Sequence, residues 1–402
     1  MKQGDKNSLP EGWEMKKLGE VLKIQNGYAF NAKLFTTETG TPLIRIRDIK
    51  KGIDTETKFN GLYDRKYEVN AGDFLIGMDG EFGCYEWKGD LALLNQRVCR
   101  LQNFSNRINS RFLFYGINKY LKAIEEVTSF ATVKHISSKQ IEAIKMPLPP
   151  IEEQQRIVVK LDEAFEAIEK ANANTKQNLK NAKELFESYL QAIFENKGKD
   201  WEEKTLKDLT SKIGSGATPR GGNASYKTSG ISLIRSMNVH DLEFRERNLA
   251  FIDGKQASDL NNVTVEENDI LFNITGASVT RCCVVLKQYL PARVNQHVSI
   301  VRVKKEIIEP NFLNLLLVSK CYKDQLLFTG EQGATRQAIT KAQLENFMVS
   351  FPKSIAEQQT IVQKLDALSA ETKKLEAIYQ KKLEDLEELK KSILQKAFTG
   401  QL

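Results

Sequence analysis

Few residue combinations in this chain are placed for catalysis. The five cysteines, Cys84, Cys99, Cys282, Cys283 and Cys321, contain no CxxC pair, and the three histidines form no HExxH, so neither a disulfide frame nor a zinc site is signalled. Reduced, mostly buried thiols are expected. Cys84 follows Gly80-Glu81-Phe82-Gly83, which puts a thiol near a carboxylate, but no histidine in a triad context accompanies it. The Gly-rich run Gly214-Ser215-Gly216-Ala217-Thr218-Pro219 lacks the lysine and the strand-to-helix setting of a phosphate loop and reads as an ordinary loop. There is no Gly-rich cofactor fingerprint, no Asn-Pro-Pro-aromatic or Asp-Pro-Pro-aromatic tetrapeptide of the amino-methyltransferases, and no nuclease-like set of carboxylates with lysine.

What remains is polar loop chemistry suited to base edges and phosphates, since Arg favours guanine O6/N7, Asn and Gln favour adenine N6/N7, and Asp or Glu accept from cytosine N4. Arg45, Arg47 and Asp48 alternate with Ile44 and Ile46, so a strand here would put both arginines on one face. Arg45 has a counterpart in Arg235, with Asn238 close behind. A salt-bridged strand face and a DNA contact explain this segment equally well. Asp79 and Glu81 lie in one irregular loop, and Thr275, Ser278, Thr280 and Arg281 lie in another. Lys134 and His135, and Arg336 and Gln337, sit in basic polar turns that each precede a short helix. These fifteen residues are the candidate DNA-binding set. Asn95-Gln96 and Asn295-Gln296 keep their identity, which favours a framework hydrogen bond over base reading.

The elements that must carry these loops come twice. Trp13-Glu14-x-Lys16-x-Leu18 returns as Trp201-Glu202-x-Lys204-x-Leu206, Leu43-Ile44-Arg45 as Leu233-Ile234-Arg235, and Asp73-x-Leu75 as Asp269-x-Leu271. Ile136 with Gln140 returns as Ile339 with Gln343, and the run from Ile151 to Asp162 returns from Ile355 to Asp366. Such ordered self-similarity identifies a tandem repeat. Trp13 and Trp201 are expected to anchor cores. Each copy opens with a strand-rich globular part, residues 1–150 and 199–353, and closes with a helical part, residues 151–198 and 354–402. The expected fold is therefore mixed α/β, of the α+β kind. The helical parts carry apolar residues at heptad spacing, Leu161, Ala164, Ile168, Ala171, Ala182, Leu185 and Tyr189 in one, and Leu365, Leu368, Leu375, Tyr379, Leu386, Leu389 and Ile393 in the other. Each apolar stripe needs a partner, and an antiparallel coiled coil with a pseudo-twofold axis supplies it.

At 402 residues the chain exceeds what one core usually encloses. Its longest apolar stretch, around residues 312–318, is far shorter than the roughly 18–20 residues of a bilayer span, and the N-terminus has no apolar signal region. A cytoplasmic protein with no membrane partner is expected. The net charge is +7, yet the helical parts are neutral or acidic, so the excess of basic groups lies in the globular domains.

Taken together, the paired Trp-Glu-x-Lys-x-Leu openings, Gly216-Ala217-Thr218-Pro219, the run Leu148-Pro149-Pro150-Ile151-Glu152-Glu153-Gln154-Gln155 with its echo near Phe351–Gln359, and the ending Ala397-Phe398-Thr399-Gly400-Gln401-Leu402 resemble the specificity subunit of type I restriction-modification systems. The resemblance spans essentially the whole chain. It implies a non-catalytic prokaryotic subunit with two target recognition domains, each reading half of a bipartite site in double-stranded DNA, and a coiled coil setting the gap between the halves. It also implies two modification subunits that bind S-adenosylmethionine, and restriction subunits that use ATP and Mg²⁺, with no cofactor in this chain; the assembly would be an adenine-specific methyltransferase and ATP-dependent endonuclease. Asn26-Gly27-Tyr28-Ala29-Phe30-Asn31 replaces the Gly-x-Thr-Pro segment in the first copy, so between the shared Trp-Glu-x-Lys-x-Leu opening and about position 43 the sequence gives no residue-by-residue transfer from one copy to the other. A catalytic subunit of such a system and a coiled-coil scaffold with protein-binding domains are the competing readings. The missing catalytic motifs oppose the first, and the basic domains with diverged loops oppose the second.

Overall fold

The computed structural model describes residues 9–128, 134–331 and 337–402. It divides into two units: the described residues up to Asn174 with Lys382–Leu402, and Thr175–Lys381. In the first unit β1 (Glu14–Lys17) pairs antiparallel with β8 (Lys145–Leu148), closing the domain where it began. A four-stranded antiparallel sheet follows the order β2 (Lys23–Asn26), β7 (Val98–Gln102), β4 (Phe74–Gly77), β5 (Cys84–Glu86). Beside it β3 (Thr41–Ile44) runs parallel to β6 (Ala92–Leu94). Helix α1 (Ser110–Thr128) turns Phe112, Leu113, Gly116, Ile117 and Leu121 into the core, the single-face spacing of an amphipathic helix. Asn109 starts it by accepting from the Arg111 and Phe112 amides at 2.9 and 3.1 Å. The short α2 (Ser138–Glu142) is fixed by a capping box between Ser137 and Gln140.

The second unit repeats this order. Its closing pair is β9 (Trp201–Thr205) with β16 (Met348–Pro352), and its main sheet runs β10 (Thr210–Ser215), β15 (Val298–Val303), β12 (Ile270–Asn273), β13 (Cys282–Val284). Strand β11 (Ile231–Ile234) runs parallel to β14 (Ala292–Val294). The apolar run at 312–318 belongs to α4 (Pro310–Val318), buried on nearly all sides and capped by Glu309. Helix α5 (Lys320–Glu331) follows it, and α6 (Lys341–Glu345) carries the counterpart capping box, Thr340 with Gln343. The repeated Ile-x-x-x-Gln of the sequence is thus a helix start. Trp201 packs against Phe194 and Phe312, and Trp13 packs on the first unit's core, as core anchors should.

One repeated ion pair and one repeated glutamine hold each copy. Arg100 reaches Asp73 at 3.0 Å, and Arg302 grips the buried Asp269 at 2.8 and 2.9 Å from the neighbouring strand. Gln154 accepts from the Asn109 amide at 2.8 Å and donates to the carbonyls of Arg107 and Pro149, while Gln358 does the same with Glu309, Ile307 and Pro352. Both glutamines are fully buried, so the Glu-Gln-Gln motif is the staple that joins a long helix to its domain.

The long helices are α3 (Ile151–Glu195) and α7 (Ile355–Ala397), and each contributes to both units. Within the first unit the two run antiparallel: Arg156 donates to the Leu402 carbonyl at 2.7 Å, and the Lys390 ammonium lies 5.2 Å from the Phe165 ring. Ile157, Leu161, Phe165 and Ile168 share that core with Leu394, Ala397 and Phe398. In the second unit Leu190 and Phe194 of α3 and Val362 and Leu365 of α7 line the other core. The heptad stripe expected from sequence is only partly the buried one. Leu185, Tyr189, Leu375 and Leu389 are exposed, and Phe186, Leu190 and Phe194 turn inward instead. A helix packed on a globular domain follows its own period near 3.6, so buried residues recur at i and i+4 and drift off a strict 3.5-residue seam. Among the described residues no helix is long and apolar enough to cross a membrane.

Candidate nucleic-acid interface

Three chain segments meet at one corner of the first unit, stitched by main-chain hydrogen bonds. The Met78 amide donates to the Arg97 carbonyl at 2.9 Å, Ile136 donates to Met78 at 2.9 Å, and Gly80 donates to Lys134 at 3.1 Å. Asp79 and His135 form a β-bridge there. Their side chains join: His135 Nδ1 lies 2.6 Å from Asp79 Oδ1, and Arg97 Nη1 lies 3.1 Å from Oδ2. Because a carboxylate only accepts, His135 carries a proton on Nδ1. The corner is a solvated acid held between two basic groups.

The second unit has the same stitches. Ile274 donates to His297 at 3.0 Å, Ile339 to Ile274 at 2.8 Å and Gly276 to Gln337 at 3.2 Å, with a bridge between Thr275 and Ala338. The side chains differ. His297 Nδ1 meets Thr275 Oγ1 at 2.6 Å, its Nε2 meets Gln296 Nε2 at 3.1 Å, and Thr218 donates to Gln296 Oε1. Since an amide nitrogen can only donate, Nε2 of His297 is the acceptor and Nδ1–H donates to Thr275. An Asp-Arg ion pair joined by a histidine in one unit is a Thr-His-Gln-Thr hydrogen-bond chain in the other.

Strand register supplies the correspondence that the sequence lacks around residues 26–31: Asn26 faces Cys99 and Ser215 faces Ser299, so Gly27 answers to Gly216. A Cβ on Gly27 would sit 2.0 Å from the Asn95 carbonyl oxygen, and one on Gly216 would sit 1.7 Å from that of Val294. Both glycines cross the Asn-Gln turn where no side chain fits, so Tyr28 takes the place of Ala217. Tyr28, Gln96 and Gln296 are exposed around these turns.

The remaining candidates fall into distinct places. Strand β3 ends at Ile44, so Arg45 and Arg47 do not share a strand face; they occupy a turn. Asp48 makes that turn by accepting from the Arg45 amide at 2.9 Å, and Asn238 makes its counterpart by accepting from Arg235 at 3.2 Å. A polar cap three residues on competes successfully with strand extension. Burial pushes the Asp48 carboxyl up, opposed by the hydrogen bond from Thr55. Asn238 is fully buried, donating to the Arg245 carbonyl at 2.8 Å, and Thr280 is fully buried as well, so neither offers its side chain to a ligand. Arg235 lies over the Tyr226 ring at 5.3 Å, and Arg47 is exposed. Glu81 pairs with Lys50 at the surface, and Lys134 reaches Glu125 at 3.4 Å. Ser278 accepts from Asn273 at 3.2 Å; Arg281 is half-buried and makes no ion pair among the described residues. Arg336 lies outside the described residues, while Gln337 contributes its carbonyl to the corner.

The corners thus gather Asp79, Lys134 and His135, and Thr275 and Gln337. They also contain Arg97, Gln96, His297, Gln296 and Thr218, which the sequence reading left out. One signal was present in the sequence, the change of the third residue of Asn-Gln-x-Val from Arg to His; that only the asparagine is framework, 6 % exposed at Asn95 and 4 % at Asn295, is visible in the fold alone. All four buried cysteines, Cys84, Cys99, Cys282 and Cys283, have their thiols pushed up by burial, Cys99 and Cys283 to about 12, which opposes a nucleophilic role. No group of three or more His, Cys, Asp or Glu side chains among the described residues is placed to hold a metal ion.

Comparison with known proteins agrees with this architecture. The family model described as type I restriction modification DNA specificity domain matches twice, over residues 10–181 and 198–385. The type I restriction enzyme EcoBI specificity subunit of Escherichia coli is 31 % identical over 425 residues, covering 98 % of this chain and 87 % of that protein. The MjaVIII specificity subunit of Methanocaldococcus jannaschii is 24 % identical over 414 residues, covering 98 % and 94 %. Among solved structures, a chain from a study of complex assembly and conformational transition of the type I R-M system has a TM-score of 0.72 at 21 % identity, covering 98 % of this chain and 100 % of that one. The HsdS subunit from Thermoanaerobacter tengcongensis has a TM-score of 0.63 at 20 % identity, covering 99 % of both chains. These two likenesses are of fold. With two matches that together take in most of its length, the chain belongs to the type I restriction modification DNA specificity domain family.

Proposed function

We propose that this chain is the non-catalytic DNA sequence-recognition subunit of a type I restriction-modification complex, with each unit reading one half of a bipartite site in double-stranded DNA through its three-segment corner. The observation that carries this reading is the corner itself: identical main-chain stitches in both units present an Asp-Arg-His set in one and a Thr-His-Gln-Thr set in the other. A constant frame with exchanged polar contents is what two readers of different sequences require. No observation of comparable weight favours a scaffold that binds proteins. The long helices set the spacer and dock two modification subunits, which bring S-adenosylmethionine for adenine methylation. Restriction subunits joining them use ATP and Mg²⁺, and the assembly works in a prokaryotic cytoplasm.

The test is reconstitution. The purified chain alone is expected to transfer no methyl group and hydrolyse no ATP, and with a modification subunit it is expected to direct methylation to one bipartite motif. Methylation scattered without a motif, or methyl transfer by the chain alone, contradicts the reading.

A further inference from the structure

We propose that Arg97 reads a guanine in the half-site taken by the first unit, and that Asp79 is the positioning residue that aims it. This rests on the DNA-recognition reading above and adds a base and the side chain that selects it.

The backbone gives the first observation. Arg97 has φ +73, a conformation that L-residues with long side chains rarely adopt, and its counterpart His297 does not share it. Such a conformation persists where the surroundings over-determine it, and it is concentrated at functional sites. Here the Met78 amide holds the Arg97 carbonyl, and the side chain is delivered to Asp79.

The second observation is what the ion pair leaves free. A guanidinium carries five N–H donors in a planar fork, and Asp79 engages only Nη1, at 3.1 and 3.4 Å. The Arg97 side chain is 57 % exposed, so Nε and Nη2 remain available to a ligand. Asp79 is itself held by His135, which keeps the carboxylate, and through it the fork, from swinging. Pre-orientation of this kind lowers the ordering cost of a bidentate contact.

The chemistry of the major groove selects the base. In the major groove guanine alone offers two acceptors, O6 and N7, side by side; adenine pairs an acceptor with a donor, cytosine offers a donor, and thymine one acceptor beside a methyl group. A phosphate also offers two acceptors, but the Asp79 carboxylate paired with the fork opposes its full negative charge more strongly than the partial charges on neutral base acceptors. The corresponding position in the second unit carries a neutral Thr-His-Gln set, so the effect belongs to one half-site only.

The test uses the full chain assembled with its modification subunit, with the first unit's half-site identified by domain exchange and binding measured on DNA duplexes substituted at each base pair. The parent complex is expected to require a G·C pair in that half-site. Arg97→Ala is expected to reduce discrimination at that one pair by about 5- to 100-fold, with the other half-site read as before. Arg97→Lys keeps the charge and loses the fork, and is expected to lose most of the same discrimination. Asp79→Asn is expected to weaken discrimination at the same pair without moving the melting temperature or the other half-site. The proposal is overturned if no G·C pair is required in the first half-site while the bipartite motif stands. It is equally overturned if Arg97→Ala weakens all sequences alike, with a log–log salt slope shallower by about 1, and Arg97→Lys restores binding, which marks a phosphate contact. Absence of any bipartite motif in the parent complex removes the functional reading itself.

Discussion

Gln154 and Gln358 each satisfy one amide and two carbonyls inside their domains, so a single side chain decides whether a long helix stays seated. Truncation strands those groups without water, and Gln154→Ala or Gln358→Ala is expected to cost about 3 kcal/mol, read as a lowered melting temperature. Thiol chemistry gives a second check. Four cysteines are buried with thiols pushed up, so at pH 8 a thiol reagent is expected to modify only the partly exposed Cys321 in the folded protein and all five after denaturation. Rapid native labelling of two or more would contradict the core as described. At this scale the sequence was a partial guide. Asp79 and His135 stood out because polar loops differ between copies, and the structure joins them. Arg97 did not, because its neighbours Asn95 and Gln96 repeat and made the whole turn look like framework; only the fold shows that the asparagine turns in and the next two residues turn out. Asn238 and Thr280 erred the other way, since polarity alone does not reveal burial.

Elements were more legible than residues where a long-range pattern governs them. The two long helices, α1 and both short capped helices leave periodic or capping signals that act within a few residues. The end of β3 at Ile44 leaves none, because it depends on Asp48 folding back onto the Arg45 amide. The buried stripe of α3 and α7 also departed from the heptad, since the domain cores set which side is covered. The Asn-Gln turn gives the sharpest test at this scale. Gly27→Ala places a methyl group against the Asn95 carbonyl, where main chain has to move. The substitution is expected to cost about 1–3 kcal/mol and to blur recognition of the first half-site while the second is unchanged. A thermal melt and a methylome of the variant complex read both effects; an unaltered first half-site would detach this turn from recognition.

For the whole molecule the duplication is the dominant fact, and it was legible because framework residues such as Asp73 and Asp269, or Gln154 and Gln358, recur in order. The correspondence around residues 26–31 was not, since only the strand register aligns Gly27 with Gly216, and all the two share is a close main-chain crossing. Helix length is the natural variable for the spacer. A heptad inserted near Asn178 adds about 10 Å to α3 and, at roughly 3.4 Å per base pair, is expected to lengthen the gap by up to about three base pairs between unchanged half-sites. The gain is smaller if the partner helix slips. An active complex with the original gap would show that the partner subunits position the readers. The claim beneath all of this is that each unit reads its own half-site. Its most direct test replaces residues 199–353 with the equivalent domain of a relative and maps methylation made by the assembled complex: a motif in which one half changes and the other is retained is expected, and a change in both halves, or in neither, would contradict separate reading.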